Sequence, residues 1–234
     1  MIPLSDVSRF AIYFAPQAGS PLWRFGSAWL GWDAEANAPA TQPPVEGLPA
    51  PLEDLTATPR RYGFHATLKP PFALAEGAAP EALIAAAEAL AARTAPFEAP
   101  PLRLVADRRF ASLRFSAPCA PMTALAAACV EQLDAFRAPP EPAELARRRK
   151  AGLTEAQEAN LTRWGYPYVM GEFDFHLTLS GPLAPADLAQ VARALAPRVA
   201  PLCAAPLPVA EIAVYGDPGD GKPFALVSRL PLGG

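Results

Sequence analysis

The chain contains only two histidines, and both lie in the same five-residue frame: an aromatic residue, histidine, an apolar residue, threonine and leucine. The two frames are Phe64–Leu68 and Phe175–Leu179. Because successive side chains of a β-strand point to opposite faces, each frame predicts a strand with histidine and threonine on one face and three apolar side chains on the other. Two such strands brought together would cover an apolar core and line a polar cleft.

The segments that follow the two frames have the same order. After the first frame, the patterns predict a helix over 80–94 and strands over 102–106 and 110–115. After the second frame come a predicted helix over 185–195 and strands over 207–215 and 224–230. This order indicates a duplicated β-α-β-β unit. The predicted fold class is therefore α+β, with two pseudo-symmetric lobes and antiparallel sheets around a central cleft.

We expect one bilobal domain over 1–234. Lobe one contains about 60–116, lobe two about 172–231, and a helical segment over about 117–171 lies between them. Further predictions are a strand over 9–15, a helix over 21–32, an irregular stretch over 33–59 with at most one helical turn, an end to the first histidine strand at Pro70–Pro71, a tight turn at Asp107–Arg109, and helices over 119–136 and 154–164.

The basic run Arg147–Lys150 lies in the segment between the lobes and permits two interpretations. It is either a solvated helix face or part of a flap that carries cations toward an anionic substrate.

Composition excludes several classes of protein. The hydrophobic fraction of 51% suffices for a core, and the net charge of −3 argues against binding of long nucleic acid. No leader pattern or long apolar run indicates secretion or membrane insertion, so a cytoplasmic protein is expected. The three cysteines lack C-x-x-C spacing, which makes buried packing the expected role for them. No metal site and no cofactor are predicted.

The chemistry that two facing histidines can perform is general acid–base catalysis. Histidine exchanges a proton near neutral pH, so His65 and His176 can divide the work, one as base and one as acid. Cleavage of a phosphodiester requires this division. Thr67 and Thr178, two residues further along the same faces, can donate hydrogen bonds to phosphate oxygens.

Strand alternation adds further candidates. Lys69 continues the face of His65 and Thr67 and would offer a cation, unless Pro70 ends the strand and turns the side chain outward. Ser180 continues the face of His176 and can donate another hydrogen bond. Tyr62 has the opposite parity and is expected in the core unless the strand starts after it.

Three more candidates flank the frames. Tyr166 and Tyr168 precede the second frame and are expected either to touch the sugar or phosphate of a substrate or to pack in the ordinary way. Arg61, with its neighbour Arg60, precedes the first frame and is a candidate for a second phosphate or a free surface arginine.

The paired frames His65–Leu68 and His176–Leu179, on a duplicated α+β framework, resemble the two-histidine phosphoesterase superfamily. That superfamily includes RNA 2',3'-cyclic phosphodiesterases and LigT-like 2',5' RNA ligases. The longer segments Arg61–Phe72, Arg163–Met170 and Phe173–Gly181 are similar to those of the bacterial branch that is encoded with phosphonate-metabolism genes. The resemblance covers nearly the whole chain. It implies metal-independent catalysis between two lobes, with the two histidines as acid and base and the two threonines as phosphate ligands.

Three functions remain open on the sequence. The first is hydrolysis of a small cyclic phosphodiester, for which the phosphonate branch suggests 5-phosphoribosyl 1,2-cyclic phosphate. The second is processing of RNA 2',3'-cyclic ends or 2',5' linkages, although such a channel is expected to be basic. The third is a non-catalytic protein that binds a phosphorylated metabolite. The expected partner in each small-molecule case is a phosphorylated substrate.

Overall fold

The structure is a computed structural model that describes residues 2–107 and 109–234. The seven α-helices of these residues are α1 (Pro21–Leu30), α2 (Leu52–Arg60), α3 (Pro80–Ala92), α4 (Ala120–Gln132), α5 (Pro142–Arg149), α6 (Glu155–Trp164) and α7 (Pro185–Val199). The strands are β1 (Arg9–Phe14), β2 (Trp32–Asp33), β3 (Ala38–Pro39), β4 (Ala66–Phe72), β5 (Phe97–Ala99), β6 (Leu102–Asp107), β7 (Phe110–Phe115), β8 (Leu177–Thr178), β9 (Leu207–Val209), β10 (Glu211–Asp217) and β11 (Ala225–Pro231).

Two antiparallel sheets carry the two histidine frames. The first has the strand order β11-β10-β1-β4 and ends on the first histidine strand. The second has the order β6-β7-β8 and ends on the second histidine strand. Helices α3 and α4 pack on the first sheet, and α7 packs on the second. The α+β class with antiparallel sheets is therefore confirmed.

The two halves of the chain exchange their hairpins. The hairpin β6-β7, which follows the first histidine frame in sequence, pairs with β8 of the second frame, while β10-β11 joins the sheet of the first frame. The predicted lobes, 60–116 and 172–231, therefore do not correspond to the two sheets. Local patterns detect a repeated order of elements, but strand pairing depends on contacts distant in sequence.

One apolar core underlies both histidine strands. The apolar faces of the two frames belong to the same buried cluster, and the rings of Phe14 and Phe175 lie 5.7 Å apart where the sheets approach. Trp29 of α1 donates its indole N–H to the carbonyl of Leu179 at 2.8 Å, and the amide of Gly181 donates to the carbonyl of Leu55 at 2.8 Å. These contacts fix the second strand against α1 and α2.

The structure corrects several predicted boundaries. Strand β4 runs through Pro70 and Pro71 to Phe72, because β4 is an edge strand and an edge strand needs no amide donor on its open side. The stretch 33–59 contains the last residue of β2, the short strand β3 and most of the nine-residue helix α2, beyond the single turn expected there. The turn predicted at Asp107–Arg109 includes residue 108, which lies outside the described residues.

Within the described residues, no helix combines the length and the apolar character that a membrane span requires.

Candidate active site

The two histidines are held in the same way. The Nδ1 atom of His65 lies 3.0 Å from the carbonyl oxygen of Gly63, and Nδ1 of His176 lies 2.7 Å from that of Asp174. A carbonyl oxygen can only accept, so each ring carries its proton on Nδ1 and donates it to the carbonyl two residues earlier. The Nε2 atom of each ring is thereby left for chemistry.

Two glycines allow this arrangement around His65. Gly63 has a φ of 72°, a left-handed conformation that L-residues with a side chain rarely adopt. Its carbonyl thus reaches the imidazole that follows. At Gly26 of α1, an added Cβ atom would overlap the ring of Phe64, the residue before the histidine. Close approach of helix and strand therefore depends on glycine.

Both histidines line one cavity. This cavity, called the histidine cavity here, has a volume of about 380 Å³ and is also lined by Tyr62, Phe110 and Thr178. Residues remote in the chain therefore converge on one space.

A larger cavity adjoins it. The tyrosine cavity, of about 700 Å³, is lined by Thr67, Tyr166 and Tyr168. It shares Phe110 and His176 with the histidine cavity. A substrate can therefore place its reacting group between the histidines and extend along the cleft.

His65 sits among aromatic rings. Tyr13 of β1 stacks on its imidazole with ring centroids 3.7 Å apart, and Tyr62 and Tyr215 lie 6.3 and 6.2 Å away. Burial lowers the pKa of His65 from 6.5 to about 4, against the opposing effect of the hydrogen bond to Gly63, and the proximity of His176 lowers it further. His65 is neutral near pH 7, so its Nε2 atom carries a lone pair that can accept a proton.

The two threonines lie at the cleft. The hydroxyl of Thr67 is 3.2 Å from Nε2 of His65 and donates to it when the ring is neutral. Thr178 lines the histidine cavity and pairs across the sheet with Ser112 of β7. Both hydroxyls can turn toward a bound phosphate.

Lys69 does not reach the cleft, which corrects the prediction from strand alternation. Tyr13 pairs with Thr67 and the next β1 residue, Ile12, pairs with Lys69, so β4 has a bulge with one extra residue at position 68. A bulge reverses the alternation beyond it. The ammonium is buried, with the side chain 2% exposed, and donates to the carbonyl of Val130 at 3.1 Å and to Asp134 at 3.3 Å.

Arg61 and Ser180 also have structural partners. Arg61 forms an ion pair of 3.6 Å with Asp217 and lines neither cavity. Ser180 does line the histidine cavity, but its hydroxyl accepts from the amide of Ala111 at 2.9 Å and donates to the carbonyl of Gly181 at 3.0 Å. Backbone groups therefore occupy the hydroxyl of Ser180, which was expected to donate to a substrate.

Tyr62 and the tyrosine pair are at the cleft. Tyr62 lines the histidine cavity because β4 begins only at Ala66, so the alternation that predicted a core position does not extend back to it. Tyr168 is 46% exposed, and the guanidinium of Arg148 stacks over the ring of Tyr166 at 4.5 Å. Residue 148, from the basic run, therefore anchors the segment that carries the tyrosines.

Three site residues were missed on the sequence. Tyr13 has the opposite parity to Phe10, Ile12 and Phe14 of the same strand, so alternation places it on the other face, but nothing local indicates that this face meets a histidine. Phe110 packs at 5.9 Å from the His176 ring, and Arg114 lines the tyrosine cavity. Both belong to the hairpin that the sheets exchange.

Among the residues that the structure describes, no group of three or more histidine, cysteine, aspartate or glutamate side chains is placed to hold a metal ion. Cys119 and Cys129 are buried and unpaired, as expected, whereas Cys203 is only partly buried.

Comparison with known proteins places the chain in a family. A family model described as "Protein of unknown function (DUF1045)" matches residues 67–225, more than half of the chain. The chain belongs to this family. The match begins two residues after His65 and includes His176.

Two curated relatives carry the same printed name, "Ribose 1,5-bisphosphate phosphokinase PhnN". The protein from Janthinobacterium sp. (strain Marseille) is 38% identical over 98% of this chain and 52% of its own length. The protein from Laribacter hongkongensis (strain HLHK9) is 40% identical over 93% of this chain and 50% of its own length. The chain thus spans about half the length of these relatives.

Solved structures of similar shape include LigT of E. coli complexed with 3'-AMP, with a TM-score of 0.43 and 14% identity over 97% of this chain and 98% of that chain. The protein TT0787 of Thermus thermophilus has a TM-score of 0.42 and 19% identity over 97% of this chain and 98% of that chain. At these identities the likeness concerns the fold alone.

Proposed function

We propose that this protein is a cyclic phosphodiesterase that opens a small cyclic phosphate ester by acid–base catalysis between two histidines. The observation that carries the proposal is that His65 and His176 line one cavity, each with Nδ1 bound to a main-chain carbonyl and Nε2 left unengaged by the backbone. Two imidazoles held in this way form an acid–base pair when one is neutral and the other carries a second proton on Nε2.

The structure supports a division of roles that the sequence left open. Because its pKa is lowered, His65 is neutral and accepts a proton from water. His176 then acts as the acid. A bound phosphate anion close to the His65 ring favours its charged form, and this raises the pKa of the base toward neutrality in the complex.

The reaction balances as a hydrolysis. Water attacks phosphorus while Nε2 of His65 takes its proton, and an O–P bond forms. The bond from phosphorus to the departing sugar oxygen breaks, and His176, which enters the reaction as the imidazolium with protons on both nitrogens, gives its Nε2 proton to that oxygen and becomes neutral. Thr67 and Thr178 donate to the non-bridging oxygens as charge develops on them. The product is a phosphomonoester with a free hydroxyl on the sugar.

The proposed substrate is 5-phosphoribosyl 1,2-cyclic phosphate. Opening its ring yields ribose 1,5-bisphosphate, which is the compound in the printed name of the curated relatives. Half of each relative matches this chain. A diesterase in that half would supply the compound for which the relative is named.

Kinase activity is not proposed for this chain. The segment of this chain most similar to a phosphate-binding loop is Gly216–Lys222. It has the spacing Gly-x-x-x-x-Gly-Lys but is followed by Pro223 instead of Ser or Thr. This segment connects β10 to β11, two strands of one hairpin. A phosphate-binding loop of this type needs a helix after the lysine.

The experiment is incubation with 5-phosphoribosyl 1,2-cyclic phosphate in EDTA, followed by phosphorus NMR. Conversion to ribose 1,5-bisphosphate is expected, and His65→Ala or His176→Ala should each lower kcat by roughly 10²-fold to 10⁴-fold. Lys69→Met, on the far side of β4, serves as the variant with unchanged kcat. An unchanged spectrum at micromolar enzyme contradicts the proposal.

Two alternatives give different outcomes. An RNA end-processing enzyme would hydrolyse a 2',3'-cyclic-phosphate oligonucleotide faster than a cyclic mononucleotide. A non-catalytic binding protein would retain affinity for the ester in both alanine variants and turn over nothing.

A further inference from the structure

The second sheet presents a row of basic side chains on its catalytic face. Ser112 of β7 pairs with Thr178 and Leu113 pairs with Leu177, and Arg114, the next residue along β7, lines the tyrosine cavity together with His176. Directly paired residues share a face, which puts Arg114 on the face of the histidine. On its other side, Arg114 pairs with Arg103 of β6.

The spacing of this row follows from sheet geometry. Adjacent strands lie about 4.8 Å apart, so Arg103 of β6 is about 10 Å from the line of β8, with β7 between them. Arginine side chains are long enough for their guanidinium groups to reach back over much of this distance. A substrate with two charged groups about this far apart could therefore contact both sites.

The two arginines differ in how far acidic side chains neutralise their charges. Arg114 donates to Asp174 at 2.9 Å and to Asp107 at 3.1 Å, and its side chain is 11% exposed. In the part of the chain that the structure describes, no acidic side chain forms an ion pair with Arg103. Of this pair, Arg103 is therefore the guanidinium with donors left for an anion.

A cavity lies where the two arginines meet. The arginine cavity, of about 390 Å³, is lined by Arg103, Arg114, Ser116 and Thr123. It shares Arg114 and Asp174 with the tyrosine cavity, which in turn reaches His176. The three cavities thus follow one another along the cleft, with the catalytic histidines at one end and the least compensated cation at the other.

We propose that Arg103 and Arg114 form a subsite for a second anionic group of the substrate, a phosphomonoester on the same sugar as the cyclic phosphate. Guanidinium groups bind phosphate through paired N–H donors, and Arg103 offers donors of the kind that Arg114 already gives to Asp107 and Asp174. Arg103 is the specificity-determining residue, while Arg114 also holds the loop whose carbonyl orients His176. The choice of substrate rests on the proposed function; the existence of the subsite does not.

A binding experiment tests the subsite without turnover. Ribose 5-phosphate is titrated into the protein by calorimetry, with ribose as the ligand that lacks the phosphate. Arg103→Ala is expected to weaken binding of ribose 5-phosphate at least tenfold, and Arg103→Lys to restore part of it. Arg193→Ala, at an exposed arginine of α7 that lines none of the three cavities, should leave binding unchanged. Equal affinity of the wild type and Arg103→Ala overturns the inference.

A kinetic experiment separates the subsite from the proposed function. Ribose 1,2-cyclic phosphate is compared with its 5-phosphorylated form, and Arg103→Ala should raise KM about tenfold for the phosphorylated ester alone. Equal kcat/KM for the two esters in the wild type, with Arg103→Ala active and unaltered, refutes the subsite while the diesterase function stands. Binding of ribose 5-phosphate that depends on Arg103, without hydrolysis of either ester, retains the subsite and refutes the diesterase.

Discussion

Acidification should destabilise the folded protein through His65. The ring is partly buried and stacks on Tyr13, and this burial lowers its pKa to about 4 in the folded protein, while the unfolded chain has the ordinary value near 6.5. Between these two values the unfolded state binds more protons than the folded state, so stability rises with pH. The contribution is fully present above pH 6.5 and is lost as the pH falls to about 4.

The magnitude follows from the shift. A difference of about 2.5 pKa units at 1.36 kcal/mol per unit gives an upper limit of about 3 kcal/mol. The ring borders the histidine cavity, where solvent relieves part of the burial, so we expect about 2 kcal/mol of acid-dependent destabilisation from this group. That amount is a large fraction of the stability of an ordinary domain.

The assay is urea unfolding at pH 7.5 and 4.5 for the wild type and for His65→Asn, in which the amide can still donate to the carbonyl of Gly63. Carboxylates titrate equally in both proteins, so the difference between their losses isolates the imidazole. The wild type should lose about 2 kcal/mol more than the variant, and His176→Asn, which retains His65, should behave like the wild type. Equal losses in the wild type and His65→Asn would refute the assignment of a buried neutral imidazole.

Three other outcomes are expected. The low-pH limb of kcat/KM, which reports the free enzyme, should have its midpoint near pH 4 because of His65. The low-pH limb of kcat should lie at higher pH, because the bound phosphate stabilises the imidazolium. Coincident limbs in the two pH-rate profiles would contradict this. Gly26→Ala should destabilise the protein by about 1–3 kcal/mol in urea unfolding, because the added Cβ atom overlaps the ring of Phe64. Alanine ordinarily favours a helix, so a stabilised variant would show that the packing relaxes freely. Lys69→Met should leave KM unchanged and shift only the urea midpoint, because the ammonium faces Asp134 and not the substrate; a raised KM would return this lysine to the site.

Alternation within the frames predicted which residues meet at the candidate site. His65, His176 and Thr178 line one cavity, and Thr67 lies within hydrogen-bond distance of the first imidazole, as the period-2 pattern predicted. The same rule failed at Lys69, where one extra residue in β4 turns the side chain to the other face. A bulge is set by the pairing with β1, and the local pattern carries no sign of it.

Pairing between distant segments accounts for most of what was missed. The sequence shows that Phe110 and Arg114 belong to a strand near the first frame, yet the structure pairs that strand with the second frame. The exchange of hairpins could not be predicted because a repeated order of elements fits both arrangements equally well locally.

By itself, the sequence determined which imidazoles can exchange protons, since the chain has only two histidines. It also determined the alternation that gives each frame a polar face. Only the tertiary structure decided what surrounds those rings: the stacking of Tyr13, the carbonyls that fix both tautomers, and the row that ends at Arg103. The physical reason is that residue type sets which atoms can react, whereas burial and register, which shift a pKa or align two charges, depend on segments far apart in the chain.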